Sequence, residues 1–493
     1  MDTTTLLTLT TEKLTNFQHD MLWALIVGAC IAFILGFGMG ANDVANAFGT
    51  SVGSKVLTLV QAYILATIFE TLGSILVGYN VTDAMRKNVI DTDLYINEPK
   101  VLLIGQIAIL TGCATWLIIA TVAKWPVSTT QGIVGSTVGM SMSMKGFQGI
   151  QWMEIVKIVI SWFASPLLSG LISILIYTIV DHTVLRKDNP FVSGLNVLPY
   201  FYFVCLTFNT FAVIYSGSVI IGIPKIPIGI SIAIAFGVGI ITFFVVLFIL
   251  KPRLRVWIEQ RVPKDAYLDV TLKSSHTKKG EEDNISHTDE VHITTVAPVY
   301  EKQKMDGTVK GFFQWLLPLK DRQSPLQVLK IFSSIQVFTA CFAGFAHGAN
   351  DVANAIAPLS ALISFYRDGN ISQQGTTPIY VLLFGVLSIC VGLWVMGHRV
   401  IQTVGQNMSE INPASGFTIE FGAAVTALLA SKAGIPISTT HCLVGSVVFV
   451  GMIRSKEGID WKIFKGIVFS WVVTLPTCGL ISAGVMRLLY LTL

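Results

Sequence analysis

Apolar stretches punctuate nearly the whole chain, near residues 21–38, 57–78, 101–122, 126–143, 153–180, 198–222 and 228–250, and again near 328–346, 378–397, 417–434, 436–453 and 463–491. Each is long enough to cross a hydrocarbon layer about 30 Å thick as a helix, and the glycine-rich ones are candidates for broken or re-entrant helices. The pattern predicts an all-α polytopic membrane protein of about twelve segments. One polar interruption, residues 251–330, is rich in Lys, Glu, Asp, Ser and Thr, a composition that favours disorder over a packed domain. The chain therefore divides into an N-terminal stretch 1–20, a first membrane half 21–250, a polar loop 251–327 and a second membrane half 328–493.

Composition agrees with this division. Of the 493 residues, 53% are hydrophobic and 13% are charged, about half the charge of a soluble domain. Residues 251–330 hold 14 of the 33 basic and 11 of the 29 acidic residues, so the membrane halves are nearly stripped of charge. A net charge of +4 is too small to suggest nucleic acid as a partner. The seven cysteines are scattered through apolar segments without CxxC spacing, which predicts buried free thiols. No cleavable signal peptide is expected, because the first apolar stretch is not followed by an A-x-A site. Lys251, Arg253, Arg255, Arg261 and Lys264 crowd the end of the seventh segment, and such a juxtamembrane excess marks the cytoplasmic side. With seven segments before that loop and five after it, both termini fall outside. Of the sequons at Asn80, Asn284, Asn370 and Asn407, only Asn80 and Asn370 would then face outside.

The chain also repeats itself. GANDVANA occurs at 40–47 and at 348–355; PVSTTQGIVGS at 126–136 returns as PISTTHCLVGS at 436–446; GIQWMEIVKIVISW at 149–162 is echoed at 458–471. The copies stay 308 to 310 residues apart, so one unit of about five segments was duplicated. The first segment corresponds to the eighth, and an odd offset turns the second copy upside down. Inverted repeats are an architecture of secondary transporters, with the site at the repeat interface.

The repeated motifs carry the chemistry. Asp43 and Asp351 end apolar segments, and a carboxylate at membrane depth is costly unless it is paired or lines a wet cavity. Asn42 and Asn46 flank the first aspartate, Asn350 and Asn354 the second, and nearby glycines and Pro358 argue for interrupted helices. Ser128, Thr129 and Thr130 follow Pro126, and Ser438, Thr439 and Thr440 follow Pro436, each trio placed to open a helix. Two helix N-termini pointing into one cavity would bind an oxyanion through N–H groups and hydroxyls. Polar caps without a ligand are the plainer alternative for one copy; duplication of both motifs weighs against it. An oxyanion beside two aspartates needs cations between them, and sodium suits oxygen ligands of this kind, although protons would also serve.

GANDVANA twice, with the proline-led Ser-Thr-Thr motif twice, resembles the inorganic phosphate transporter (PiT) family, in particular its animal sodium-dependent members, across both membrane halves. The resemblance implies sodium-coupled phosphate uptake at the plasma membrane, inverted repeats, extracellular termini, a cytoplasmic loop and a homodimer, with no cofactor beyond sodium as co-substrate. Carried over, Asn42, Asn350 and the two Ser-Thr-Thr trios would hold phosphate, while Asp43, Asp351, Asn46 and Asn354 would hold sodium, two ions per phosphate. Glu70 and Glu420 match acids that the family needs for transport. The first-repeat counterpart of Glu420, often Glu in animal relatives, is Gln106 here, which leaves one carboxylate fewer; Glu70 faces Gly385 in the second copy. A proton-coupled phosphate or sulfate permease and an anion channel are the rival readings. An ATP-driven pump loses support because GTSVGSK at 49–55 lacks the spacing and Ser/Thr of a phosphate-binding loop, and no enzyme signature is present.

Overall fold

A computed structural model of the chain describes residues 3–78, 82, 92–217, 226–264, 266–269, 292–294, 308–369, 371, 377–432, 437–456 and 458–493. Asn80, Asn284, Asn370 and Pro436 lie outside the described residues. Where it is described, each of the twelve apolar segments is helical. In chain order the helices are α1 (Thr3–Asp43), α2 (Ala45–Gly53), α3 (Leu59–Gly73), α4 (Pro99–Val122), α5 (Thr129–Lys145), α6 (Trp152–Val180), α7 (Pro190–Ser216), α8 (Ile228–Val245), α9 (Lys251–Arg261), α10 (Val309–Leu316), α11 (Leu326–Asp368), α12 (Ile379–Met396), α13 (His398–Gln402), α14 (Pro413–Lys432), α15 (Thr439–Arg454) and α16 (Trp461–Tyr490). Among the described residues, ten helical stretches are long and apolar enough to cross a membrane. On α8 Ile230, Ile241 and Phe244, and just beyond it Phe248, point outward, as expected of a lipid-facing surface.

The polar loop holds more order than its composition suggests. Helix α9 continues from the seventh apolar segment to Arg261, Tyr267–Asp269 pairs antiparallel with His292–Thr294, and α10 precedes the second membrane half. Helix α10 is clamped to the end of α6. The Arg186 guanidinium donates to the carbonyls of Trp315, Leu316 and Leu317, and is itself paired with the buried Asp181. Guanidinium donors at a helix C-terminus satisfy carbonyls that have no partner within the helix.

The duplicated units correspond helix by helix: α1 and α2 to α11, α3 to α12, α4 to α14, α5 to α15 and α6 to α16. Their inversion is visible in the packing. Leu14 lies by Gly369, Gly28 by Leu362 and Phe48 by Gly344, so residue numbers fall along α11 as they rise along α1. Equivalent helices therefore run antiparallel. The copies are also interlaced: α12 packs on α1 and α3 on α11, while α16 packs on α4 and α5, and α6 on α14 and α15. Each crossing needs a residue without a Cβ. A methyl added at Gly40 would sit 1.8 Å from the Ile389 carbonyl oxygen, and one at Gly348 would sit 2.1 Å from that of Glu70.

Two hydrophobic cores result, each built from both copies. One gathers Leu35 and Met39 of α1 with Leu103 of α4, Ile356 and Leu362 of the C-terminal half of α11, and Leu382 of α12. The other gathers Phe48 of α2 with Ala66 of α3, Phe332 and Phe342 of the N-terminal half of α11, and Phe417 of α14. Helices α1–α2 and α11 thus pass from one core to the other, and Asp43 and Asp351 fall where they cross.

Helices α4 and α5 form a hairpin that enters and leaves on one face, because Lys145 at its end pairs with Glu98 at its start, at 2.9 Å. Arg454 and Glu410 close the hairpin α14–α15 in the same way at 3.5 Å. The helices α5 and α15 are therefore returning arms, and the offset between the copies is odd whether or not the hairpins are counted as crossings. Of the cysteines, Cys30 is exposed and Cys390 half-buried; the other five are buried, and all are free thiols.

Candidate functional site

The tips of the two hairpins meet. Ser128 caps α5 by accepting the Gln131 N–H at 3.3 Å, and Ser438 caps α15 by accepting the His441 N–H at 3.2 Å. Thr130 Oγ1 then donates across to the Ile437 carbonyl at 3.1 Å, and Thr440 Oγ1 to the Val127 carbonyl at 3.1 Å. These reciprocal bonds bring the two N-termini to one place from opposite sides. Each carries a partial positive charge of roughly half a unit and unpaired N–H groups, the ordinary requirements of an anion site.

The aspartate motifs close around these tips. Thr129 Oγ1 donates to Asp43 Oδ2, and Thr439 Oγ1 lies 3.5 Å from Asp351 Oδ1. The asparagines bond across the repeats instead. Asn46 Nδ2 donates to Thr440 Oγ1 at 2.9 Å, and Asn354 Nδ2 to Thr130 Oγ1 at 3.2 Å. Asp43, Asp351, Asn46, Asn354, Ser128, Ser438 and all four threonines are buried. Eight of the sequence-expected side chains beyond the caps thus form one cluster from both copies. Among the described residues, Asp43 Oδ1 and Asn46 Oδ1 have no hydrogen-bond partner. Two buried, unpaired acceptors one turn apart are costly unless a cation or donor meets them, and they match the hard oxygen set that sodium takes.

Asn42 is engaged outside this cluster. Asn42 donates to Thr121 Oγ1 at 3.1 Å and to the Trp125 carbonyl at 2.9 Å, and accepts the Val127 N–H at 3.1 Å, so its amide holds the hairpin tip against α1. Asn350 donates back to the Ala346 carbonyl of its own helix at 3.1 Å. Glu70 is buried on α3, close enough to Asp351 and Asp43 for their charges to repel. Its counterpart differs from the sequence register: Gly348 packs on the backbone of Glu70 as Gly40 packs on that of Ile389, so Ile389, one turn beyond Gly385, is the equivalent position. No carboxylate stands there in either alignment.

Glu420 is fully buried and fully satisfied. Its Oε1 accepts from Thr50 at 2.6 Å, Ser51 at 2.6 Å and Gln336 at 3.1 Å, and its Oε2 from Thr339 at 2.7 Å. The repeat spacing of 308 maps these donors onto Pro358, Leu359, Gly28 and Ile31, none with a polar side chain. At the 310-residue spacing of the hairpins Glu420 maps onto Leu110 rather than Gln106, which turns to the Leu102 carbonyl of its own helix at 3.4 Å. The whole polar cradle, not one residue, is missing from the first copy. His347 was invisible to motif reading because it lies just outside GANDVANA. Its Nδ1 lies 3.3 Å from Asp351 Oδ2, and Met39 holds the equivalent place beside Asp43. Among the described residues no Lys or Arg pairs with Asp43, Glu70, Asp351 or Glu420, so hydrogen-bond donors, protons or bound cations must meet their charge.

The phosphate transporter family matches residues 39–482. The chain is similar to Sodium-dependent phosphate transporter 1-A of Danio rerio, at 34% identity over 96% of each chain. It is similar to Sodium-dependent phosphate transporter 2 of Xenopus laevis, at 33% identity over 95% of this chain and 98% of that protein. A solved structure of a sodium-dependent phosphate transporter superposes with a TM-score of 0.76 at 30% identity, covering 95% of this chain and all of the other.

Proposed function

The chain belongs to the phosphate transporter family, and from that premise we propose that it carries inorganic phosphate into the cell together with sodium, by alternating access around the meeting point of the two hairpins. The observation that carries this reading is the convergence of two helix N-termini on two unneutralised aspartates. Neither half of that arrangement is stable alone. Phosphate at the N-termini of α5 and α15 meets the carboxylates of Asp43 and Asp351, and sodium between them attracts both. Binding of either ion then favours binding of the other, which is the thermodynamic content of coupling.

In this account Ser128, Thr129, Thr130, Ser438, Thr439 and Thr440 with their backbone N–H groups face phosphate. Asp43 with Asn46, and Asp351 with Asn354, face one sodium each, giving two sodium ions per phosphate. Asn42 positions the tip. Glu70 adds charge next to Asp351, and Glu420 ties α14 to α2 and α11. The two cores act as the moving bodies, with α1–α2 and α11 passing between them. The loop 251–327 lies in the cytoplasm, both termini lie outside, and the protein resides in the plasma membrane as a homodimer.

Uptake of labelled phosphate into proteoliposomes tests the proposal. A sodium gradient should drive accumulation, with Asp43→Asn and Asp351→Asn each abolishing it. Equal uptake with potassium replacing sodium contradicts sodium coupling. Uptake driven by a proton gradient alone supports the proton-coupled alternative instead.

A further inference from the structure

The duplication predicts two equivalent aspartates, and the structure makes them unequal. Asp43 has one oxygen held by Thr129 and the other without a partner among the described residues. Asp351 has both oxygens engaged: Oδ1 with Thr439 at 3.5 Å and Oδ2 with His347 Nδ1 at 3.3 Å. His347 lies one turn before Asp351 on α11 and is 2% exposed, so the helix itself fixes the distance between them. The equivalent residue on α1 is Met39, buried and unable to donate.

We propose that His347 is a positioning residue for the second cation, holding the Asp351 carboxylate in one rotamer and making the two aspartate sites differ in their affinity for sodium. The inference rests on the sodium-coupled reading above. Its reasoning is that of outer-shell partners generally. A carboxylate that must bind a cation with one oxygen gains when the other is fixed by a donor, because less freedom is lost on binding. Where Asp43 leaves an oxygen open to whatever binds, Asp351 is pre-set. Asn354, one turn further along α11, already bonds Thr130 in the opposite tip, so a fixed Asp351 also keeps that side of the site in register with the hairpin of the first copy.

The test measures uptake of labelled phosphate into proteoliposomes against sodium concentration, at saturating phosphate, and against phosphate at saturating sodium. Three chains are compared: wild type, His347→Met, which gives the second copy the residue of the first, and His347→Asn, whose amide restores a donor near Nδ1. His347→Met should raise the sodium concentration for half-maximal uptake by about tenfold, the usual effect of losing an outer-shell partner, with phosphate KM at saturating sodium unchanged. His347→Asn should return most of that shift. Thermal unfolding of the purified chains, read alongside, separates misfolding from lost positioning. An unshifted sodium curve in a folded His347→Met, a loss of maximal rate alone, or an equal shift in both variants overturns the inference. If His347→Met does not fold, the His347→Asn curve decides: a wild-type sodium curve supports the donor role, and a shifted one overturns it. Uptake by the wild type that ignores sodium refutes the transport reading itself, and is seen without any variant.

Discussion

At the scale of single residues, the two copies share their skeleton and differ in their charges. Glu420 is ionisable within a cradle of three hydroxyls and an amide, whereas in the first copy the positions equivalent to those donors are Gly28, Ile31, Pro358 and Leu359, none with a polar side chain. Adding a carboxylate to that copy by Gln106→Glu should therefore fail. A carboxylate buried there without donors costs about 3–5 kcal/mol, to be seen as a lower thermal unfolding midpoint in detergent. An unchanged midpoint would mean that unseen donors reach position 106. The converse, Glu420→Gln, keeps a group of the same shape within reach of its partners. It should leave the unfolding midpoint nearly in place while lowering phosphate uptake, and full uptake would show that the charge is not used. The asparagines divide similarly: Asn46 and Asn354 join the copies, while Asn42 serves the tip of its own hairpin.

At the scale of elements, the proposed function gives recognition to the short helices α5 and α15, and the long helices set where they meet. Ser128 and Ser438 decide where the two short helices begin. Ser128→Ala and Ser438→Ala each remove one cap, worth about 1 kcal/mol, so both chains should fold. Because the same turn faces phosphate, each should raise the phosphate KM with little change in the sodium dependence at saturating phosphate. A KM equal to wild type in both would place phosphate elsewhere. The crossings of α1 with α12 and of α11 with α3 leave less latitude. Gly40→Ala and Gly348→Ala put a methyl within 1.8 Å and 2.1 Å of a backbone oxygen, and backbone cannot step aside as a side chain can. Overpacking of this kind costs typically 1–3 kcal/mol or more, so both variants should lose thermal stability, and wild-type melting would contradict the crossing geometry.

At the scale of the whole molecule, much of this was legible beforehand and the reasons are physical. A span of apolar residues has one outcome in a bilayer, a helix, so the twelve segments could be read directly. The duplication fixed the inversion through a parity that is the same whether the hairpins α4–α5 and α14–α15 are counted as crossings or not. Interlacing was not legible, because no local pattern records that α12 leaves its own copy to pack on α1. Nor was the clamp of Arg186 on α10, which joins residues 129 to 131 positions apart inside a region whose composition suggested only solvent. Within the site, repeated residues announced themselves, while His347 and the Glu420 cradle escaped because they are where the copies differ. The seam between the two cores runs through both aspartates, so any relative motion of the cores alters the site first. That placement is what alternating access requires, with binding energy differing between the two arrangements.

The central claim is that phosphate and sodium occupy one cavity and bind each other's way into it. Equilibrium binding of labelled phosphate to the purified protein, titrated with sodium in detergent, measures this without a gradient or a vesicle. Sodium should tighten phosphate binding in wild type, potassium should not, and Asp43→Asn should weaken the effect of sodium. Phosphate affinity identical in sodium and in potassium would contradict the account.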